Sequence, residues 1–195
     1  MINDLEIIEE INDGSLYLRK ITKLDANFVY HSLNEKNLIM YLSLGPLMKL
    51  EDSKRLIRRY LKYWESYAQF NYIIELRENE ITKVGSISLW NVNWRHRRAE
   101  VGIWIIPIYW SNGYGKKALN LITYIAFNHL NLNRLEAHIA VENKNSIQLF
   151  NTCGFRQEGV LNQFLNFNEK FYDAEILALL KQDFFKRESK NIKLN

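Results

Sequence analysis

Cysteine is almost missing from this chain: Cys153 is the only one in 195 residues, so no internal disulfide can form and no thiol cluster can hold zinc. Two prolines and eight glycines exclude collagen-like and low-complexity chains. The longest apolar run, Val101 to Trp110 with its glycine and proline included, is about half of the ~20 residues a membrane span needs. Met1 to Gly14 carries Asp4, Glu6, Glu9, Glu10 and Asp13 but no lysine or arginine, the reverse of a secretory leader. A reducing, cytoplasmic location and an inert buried thiol are therefore expected. No Gly-x-x-x-x-Gly-Lys-Ser/Thr string occurs, which removes the P-loop nucleotide binders.

The chain has 47% hydrophobic and 13% aromatic residues, enough to fill one core. At this length roughly 70% of the surface can be buried on folding, so no metal is needed to hold the fold. The formal charge of +4 favours an anionic ligand or partner without identifying it; one basic helix face with no recognisable module makes nucleic acid a distant reading, and no membrane partner is expected. Nothing divides the sequence into repeats or linkers. One domain is expected over residues 15–185, with an acidic extension at 1–14 and a basic tail at 186–195.

Periodicity predicts a short strand at Ser15–Ile21 and a helix at Thr22–Leu33 capped by Thr22. Asp52–Ala68 is the clearest helix, with Leu56, Ile57, Tyr60, Leu61 and Trp64 on one side and Lys54, Arg55, Arg58, Arg59 and Lys62 on the other. Three strands follow as an antiparallel meander, Phe70–Arg77, Lys83–Val92 and Arg98–Ile106. A glycine turn then leads into a helix reaching about Leu130, followed by a strand at Arg134–Val141 and a helix at Asn143–Thr152 ended by Gly154. Phe155–Phe167 and Lys170–Lys181 close the chain as a hairpin turning at Asn168. The predicted class is α/β of the α+β kind: a mixed, mostly antiparallel sheet of about seven strands with one parallel strand-helix-strand unit, flanked by about four helices.

The turn Trp110-Ser111-Asn112-Gly113-Tyr114-Gly115 is the most informative segment. A glycine turn opening a helix exposes unpaired backbone N–H groups at a positive dipole end, and Lys116 or Lys117 can add a cation. The bland alternative is a glycine turn that only reverses the chain. Gly113-Tyr114-Gly115-Lys116-Lys117-Ala118 also satisfies G-x-G-x-x-G/A, with Glu142 near the place of a ribose-binding acid. Pro107 to Asn112 separates the strand from the first glycine, though, and only about 50 residues remain after Glu142 for a dinucleotide fold.

Two longer strings bring in a third class of phosphate binder. Glu100-Val101-Gly102-Ile103-Trp104-Ile105-Ile106-Pro107 followed by Tyr109-Trp110-Ser111-Asn112-Gly113-Tyr114-Gly115-Lys116-Lys117-Ala118-Leu119 resembles the acetyl-CoA signature of the GNAT superfamily of N-acetyltransferases. Glu142-Asn143-Lys144-Asn145-Ser146-Ile147-Gln148-Leu149-Phe150-Asn151-Thr152-Cys153-Gly154-Phe155, with Glu158-Gly159 beyond, resembles the branch containing the ribosomal-protein N-terminal acetyltransferases. With Leu16-Tyr17-Leu18-Arg19 and Tyr172-Asp173, the likeness covers about residues 15–181.

The resemblance implies acetyl-CoA as cosubstrate and an amine acceptor. It assigns the pyrophosphate to the backbone of Ser111, Asn112, Gly113, Tyr114, Gly115 and Lys116. It lays the pantetheine arm along Trp104, Ile105 and Ile106, with Asn143, Ser146 and Phe150 as the far wall. In the family a strand N–H polarises the thioester carbonyl and the amine attacks directly. This chain departs where many members carry a tyrosine that protonates the thiolate: Phe150 stands there, and Ser146 is the nearest hydroxyl. Asn162-Gln163-Phe164-Leu165 lacks the late carboxylate of some members. Glu100, on the same side of its strand as Gly102 and Trp104, becomes the candidate base through water, or else a structural partner of Arg97 or Arg98.

His138 reads as a satisfied core histidine, and Trp90, Trp94 and Trp104 as core or channel lining. Three functions stay open: an N-acetyltransferase, a silent CoA-binding regulatory module, and a dinucleotide oxidoreductase. For the acceptor, Arg95, Arg97, Arg98 and the Lys54–Lys62 face would repel a polyamine. An α-amine, with a reference pKa of ~7.7–8.0, needs less help from a base. A peptide or protein N-terminus with acidic residues behind it is thus expected over a polyamine or small molecule, acted on by a monomer or homodimer.

Overall fold

The computed structural model describes residues 7–167 and 169–192, with side chains as far as 187. The hairpin turn expected at Asn168 lies outside the described residues. Eight strands form one sheet: β1 (Glu10–Asn12), β2 (Leu16–Lys20), β3 (Phe70–Arg77), β4 (Ile81–Asn93), β5 (Arg98–Ile105), β6 (Arg134–Ala140), β7 (Arg156–Phe167) and β8 (Lys170–Leu180). Their order is β1-β2-β3-β4-β5-β6-β8-β7, antiparallel throughout except for β5 and β6. Among the described residues the α-helices are α1 (Ala26–Ser32), α2 (Lys36–Ile39), α3 (Leu50–Glu65), α4 (Tyr114–Tyr124), α5 (Lys144–Thr152) and α6 (Lys181–Ile192).

The expected order of elements is present, with one strand and two helices beyond the expected numbers. β1 forms inside the acidic stretch because Glu10–Asn12 pairs with Tyr17–Arg19. α6 continues directly from β8 and seats Phe184 on Phe127, a contact local periodicity does not reveal. α3 begins two residues before the expected Asp52, because the Asp52 carboxylate reaches back to accept from Lys49 N (3.1 Å) and closes the first turn. The same device operates at Thr22, whose N–H donates to Asp25 (2.8 Å) across a short 3-10 turn before α1.

Alternation gives the sheet two unlike faces. Leu18, Tyr72, Ile87 and Val101 face α4, where Ala118, Leu119 and Ile122 complete the larger core. The other face carries Ile73, Ser86, Ser88, Trp90, Glu100, Gly102 and Trp104, and is covered in part by α1 and α3 through Val29, Leu56 and Ile57. Trp104 stacks on Phe28 of α1, with ring centroids 5.7 Å apart.

A candidate active site where the sheet divides

β5 and β6 pair only over Arg98–Arg134, Ala99–Leu135 and Glu100–Glu136; beyond that the ladder stops and the strands diverge. The free edge of β5 follows from alternation. Ile106 N donates to Val84 O (2.9 Å), so the backbones of Trp104 and Ile106 turn toward β4, and those of Ile103 and Ile105 turn into the split. Of the three strand residues expected there, Ile105 alone presents its backbone, and its carbonyl accepts from the Trp110 indole (2.6 Å). Ile103, which the sequence reading passed over, is the other; counting by twos from Ile105 would have found it.

The Trp110 bond also ties the glycine turn to the end of β5. Gly113 caps α4 in the left-handed region (φ 78°), and a Cβ there would meet nothing within 4 Å. Lys117 N, donating to Gly113 O (3.2 Å), makes the first backbone bond of the helix, so the amides of Tyr114, Gly115 and Lys116 precede the helical ladder. Gly115 serves packing: a Cβ there would lie 2.9 Å from Leu149 of α5 and 3.6 Å from Ile105. Ser111 and Asn112 are exposed on the turn. Lys117 is tethered to Ser15 and Asp13, which leaves Lys116 as the exposed cation at this helix end.

Across the split, Asn143 caps α5 by accepting from Ser146 N (3.2 Å). Its amide NH2 is not needed for that cap. Ser146 is half-buried in the first turn. Phe150 is 2% exposed and packs edge-on to Phe155, so it lies in the core behind the wall rather than on its surface. Cys153 is buried as expected, and burial pushes its thiol pKa up.

Glu100 sits at the last rung of the β5–β6 ladder and is 4% exposed. Its partner is neither Arg97 nor Arg98, because Arg98 bonds Glu136 (3.0 Å) on β6. Asn91, at φ 50° in a β4 irregularity, donates to Oε1 (2.7 Å), while His138 Nδ1 lies 3.1 Å from Oε2 without hydrogen-bond alignment. Burial alone would raise the carboxyl pKa, but His138, Asn91 and the Arg98 charge outweigh it and hold it below the ordinary value. His138, expected as a satisfied core histidine, lies half-buried facing the Glu100 carboxylate. Its ring packs edge-on to Phe164 of β7, 4.9 Å away, where β7 bulges between Leu161 and Leu165. That bulge is held by Asp173, which accepts from Gln163 N (2.7 Å).

Of the three tryptophans, Trp90 leans over Gly102 and is 42% exposed, and Trp104 lies on the same face. Trp94 turns to the opposite face, donating to Tyr67 O (2.9 Å) and meeting Phe70. His96 occupies the exposed turn between β4 and β5. Three cations of the α3 face are engaged on their own helix: Lys54 and Arg58 with Glu51, Arg55 with Asp52. Among the described residues no group of His, Cys, Asp and Glu could hold a metal ion. No helix among them is long and apolar enough to cross a membrane.

An anion cradle at a helix start, an open strand edge leading inward from it, and a buried carboxylate–imidazole pair at the apex suit transfer of an acyl group from a nucleotide-linked thioester to a nucleophile. The comparisons make that class specific. Residues 15–156 match the acetyltransferase (GNAT) domain family, and the chain belongs to it. It is 28% identical over 166 residues to an uncharacterized N-acetyltransferase, YoaA, of Bacillus subtilis, covering 85% of this chain and 93% of that protein. It is 26% identical over 175 residues to spermidine N(1)-acetyltransferase of Vibrio cholerae, covering 90% and 98%. The crystal structure of the Vibrio cholerae spermidine N-acetyltransferase with CoA and spermine superposes with a TM-score of 0.79 at 26% identity, over 89% of this chain and 99% of that one. The chain is accordingly an acetyl-CoA:amine N-acetyltransferase. The likeness to the putative ribosomal N-acetyltransferase YdaF of Bacillus subtilis, 37% over 100 residues, spans 51% of this chain and 54% of that protein. Membership of the ribosomal-protein branch does not follow from it.

Proposed function

We propose that the amine acetylated by this chain is a polyamine of the spermidine class. One observation carries the reading: the face above the split holds buried acceptors, the Glu100 carboxylate and, on the same face two strands away, Asn71 Oδ1, which has no donor among the described residues. A polyamine is a row of N–H donors with positive charge and no acceptor, so it matches this acceptor-bearing, negatively charged face. A peptide terminus brings carbonyls that need donors of their own. The likeness to spermidine acetyltransferases over almost their whole length supports the same choice. The basic rim that favoured an acidic peptide is weakened, since Arg98 is neutralised by Glu136 and three of the α3 cations by Glu51 and Asp52.

In this reading the amides of Tyr114, Gly115 and Lys116, with the turn Ser111–Gly113 and the Lys116 side chain, take the pyrophosphate of acetyl-CoA. The backbones of Ile103 and Ile105 and the Asn143 amide take the pantetheine arm. The open space beside Gly113 and the ladder-free edge of β5 fit such a ligand. Ser146 is the hydroxyl available to the departing thiolate, because Phe150 carries none. The partial likeness to YdaF keeps a protein N-terminus as the second reading.

Thiol release from acetyl-CoA, measured with spermidine, an acidic-start peptide and a basic-start peptide in competition, decides between them. We expect spermidine to turn over faster than either peptide. Faster turnover of a peptide would overturn the polyamine assignment in favour of an N-terminal acetyltransferase.

A further inference from the structure

We propose that Glu100 does not itself receive the amine's proton but positions His138, whose outer nitrogen, Nε2, is the general base. The inference rests on the acetyl-transfer reading above and is independent of which amine is the acceptor.

The two residues come from different strands and meet only because β5 and β6 separate where they do. Glu100 is on the last paired rung, opposite Glu136; His138 follows two residues later on the same face, at the start of the divergence. Within the pair the carboxylate is at the back. It is 4% exposed, with Asn91 fixing one oxygen and the imidazole edge beside the other. The histidine is in front: its side chain is 13% exposed, and its ring packs against Phe164, itself 51% exposed on the β7 bulge. A substrate reaching the opening therefore meets the imidazole before the carboxylate.

The surrounding charges isolate the pair. On β6, Glu136 is engaged by Arg98 from β5 and by Arg134 from its own strand. Arg134 in turn holds Glu158 of β7, and Glu175 of β8 lies 3.7 Å from Lys144. Among the described residues His138 is the only ionic partner in contact with Glu100. A ring nitrogen facing a carboxylate carries the proton, so Nδ1 is N–H and Nε2 keeps its lone pair. As the amine nitrogen bonds to the thioester carbonyl carbon, its proton passes to Nε2. The C–S bond breaks with its electron pair on sulfur, and the imidazolium formed is stabilised by Glu100. The proton then returns through solvent to the thiolate, so a neutral amine and acetyl-CoA give an amide and CoA thiol.

The test starts with the intact protein. Imidazole 15N spectra of the wild type, with His138 assigned among the four histidines by comparison with H138Q, are expected to show the Nδ1–H tautomer. The opposite tautomer at neutral pH would overturn the proposal. In E100Q the acid limb of kcat/KM should move to lower pH, since the carboxylate that stabilises the imidazolium formed in the reaction has gone. An unmoved limb would also sink the proposal. H138Q should lose ~10²–10⁴ in kcat with the acid limb abolished, while acetyl-CoA affinity and the melting transition persist. If H138Q keeps the wild-type limb, the base is Glu100 acting through water. Profiles run with both spermidine and a peptide amine separate the two proposals: a histidine limb with the peptide alone removes the polyamine assignment and leaves the base in place.

Discussion

Gly113 and Gly115 stand two residues apart in one turn, yet their surroundings predict opposite failures. Gly113 has φ 78° and open space where a Cβ would go. Valine there strains the backbone by about 1–2 kcal/mol, somewhat more for its branching, while its Cβ meets no neighbour. For a domain of this size that lowers Tm by roughly 2–8 °C. The same side chain would stand over the helix-start amides. Losing one charge-assisted hydrogen bond to phosphate costs about 1.5–3 kcal/mol, or roughly 10–150-fold in acetyl-CoA affinity.

Gly115 is the reverse case. Its Cβ would come to 2.9 Å from Leu149, so alanine overpacks the α4–α5 contact at about 1–3 kcal/mol, offset by about 0.5–1 kcal/mol of helix propensity. Calorimetric titration with acetyl-CoA beside scanning calorimetry should therefore show Gly113→Val losing affinity more than stability, and Gly115→Ala losing stability more than affinity. Affinity of Gly113→Val within about twofold of wild type would refute the cradle, because a smaller change than the tenfold per 1.4 kcal/mol implied above leaves no phosphate contact to lose.

Other outcomes follow from the same geometry. Ser146→Ala should lower kcat by less than about tenfold, since solvent can protonate the thiolate at the open end of the split; a loss in the ~10²–10⁴ range would make the hydroxyl an obligatory acid. Asp25 is fully buried and accepts from Arg19 (2.7 and 2.9 Å), Lys83 (2.6 Å) and Thr22 N (2.8 Å), so Asp25→Asn should cost about 3–5 kcal/mol in chemical denaturation. Burial acts to raise the Asp25 pKa, but the Arg19 and Lys83 bonds outweigh it and depress it strongly. Its stabilisation is then complete above the unfolded value of about 4 and lost as pH falls toward the folded one. Wild-type Tm should drop steeply below about pH 4 while Asp25→Asn varies less there; parallel curves would contradict that account.

How much of this was legible beforehand depended on range. The strands Phe70–Arg77 and Arg98–Ile105 and the α4 turn were readable because alternation and glycine chemistry are local signals. The acetyl-CoA strings likewise sit in contiguous residues. The Glu100–His138 pair was not readable, because it depends on the register of a parallel ladder that ends after three rungs, and no local periodicity between positions 100 and 138 reports that register. Asn91 entered for the same reason: its positive φ arises in an irregularity of β4 that periodicity smooths over. Phe150 was assigned to the cofactor's wall by its place in a motif, whereas its contact with Phe155 turns it into the core. The rim arginines were counted as charges, but only the folded sheet shows that Arg98 is spent on Glu136.

The interrupted ladder between β5 and β6 also makes the sheet an unfinished object. An unpaired strand edge ordinarily invites another polypeptide to add itself, but this one lies inside the sheet, flanked by β4 on one side and by β6 and β8 beyond the gap. A slender molecule bearing amides can enter it where a full strand with side chains on both faces cannot. On the placement proposed above, the cosubstrate acts as a short prosthetic strand, and completing the sheet becomes part of the folding free energy. At a ligand concentration a hundred times Kd the gain is about 2.7 kcal/mol, so the resistance of this protein to heat and proteolysis in a cell becomes a readout of how much acetyl-CoA that cell holds.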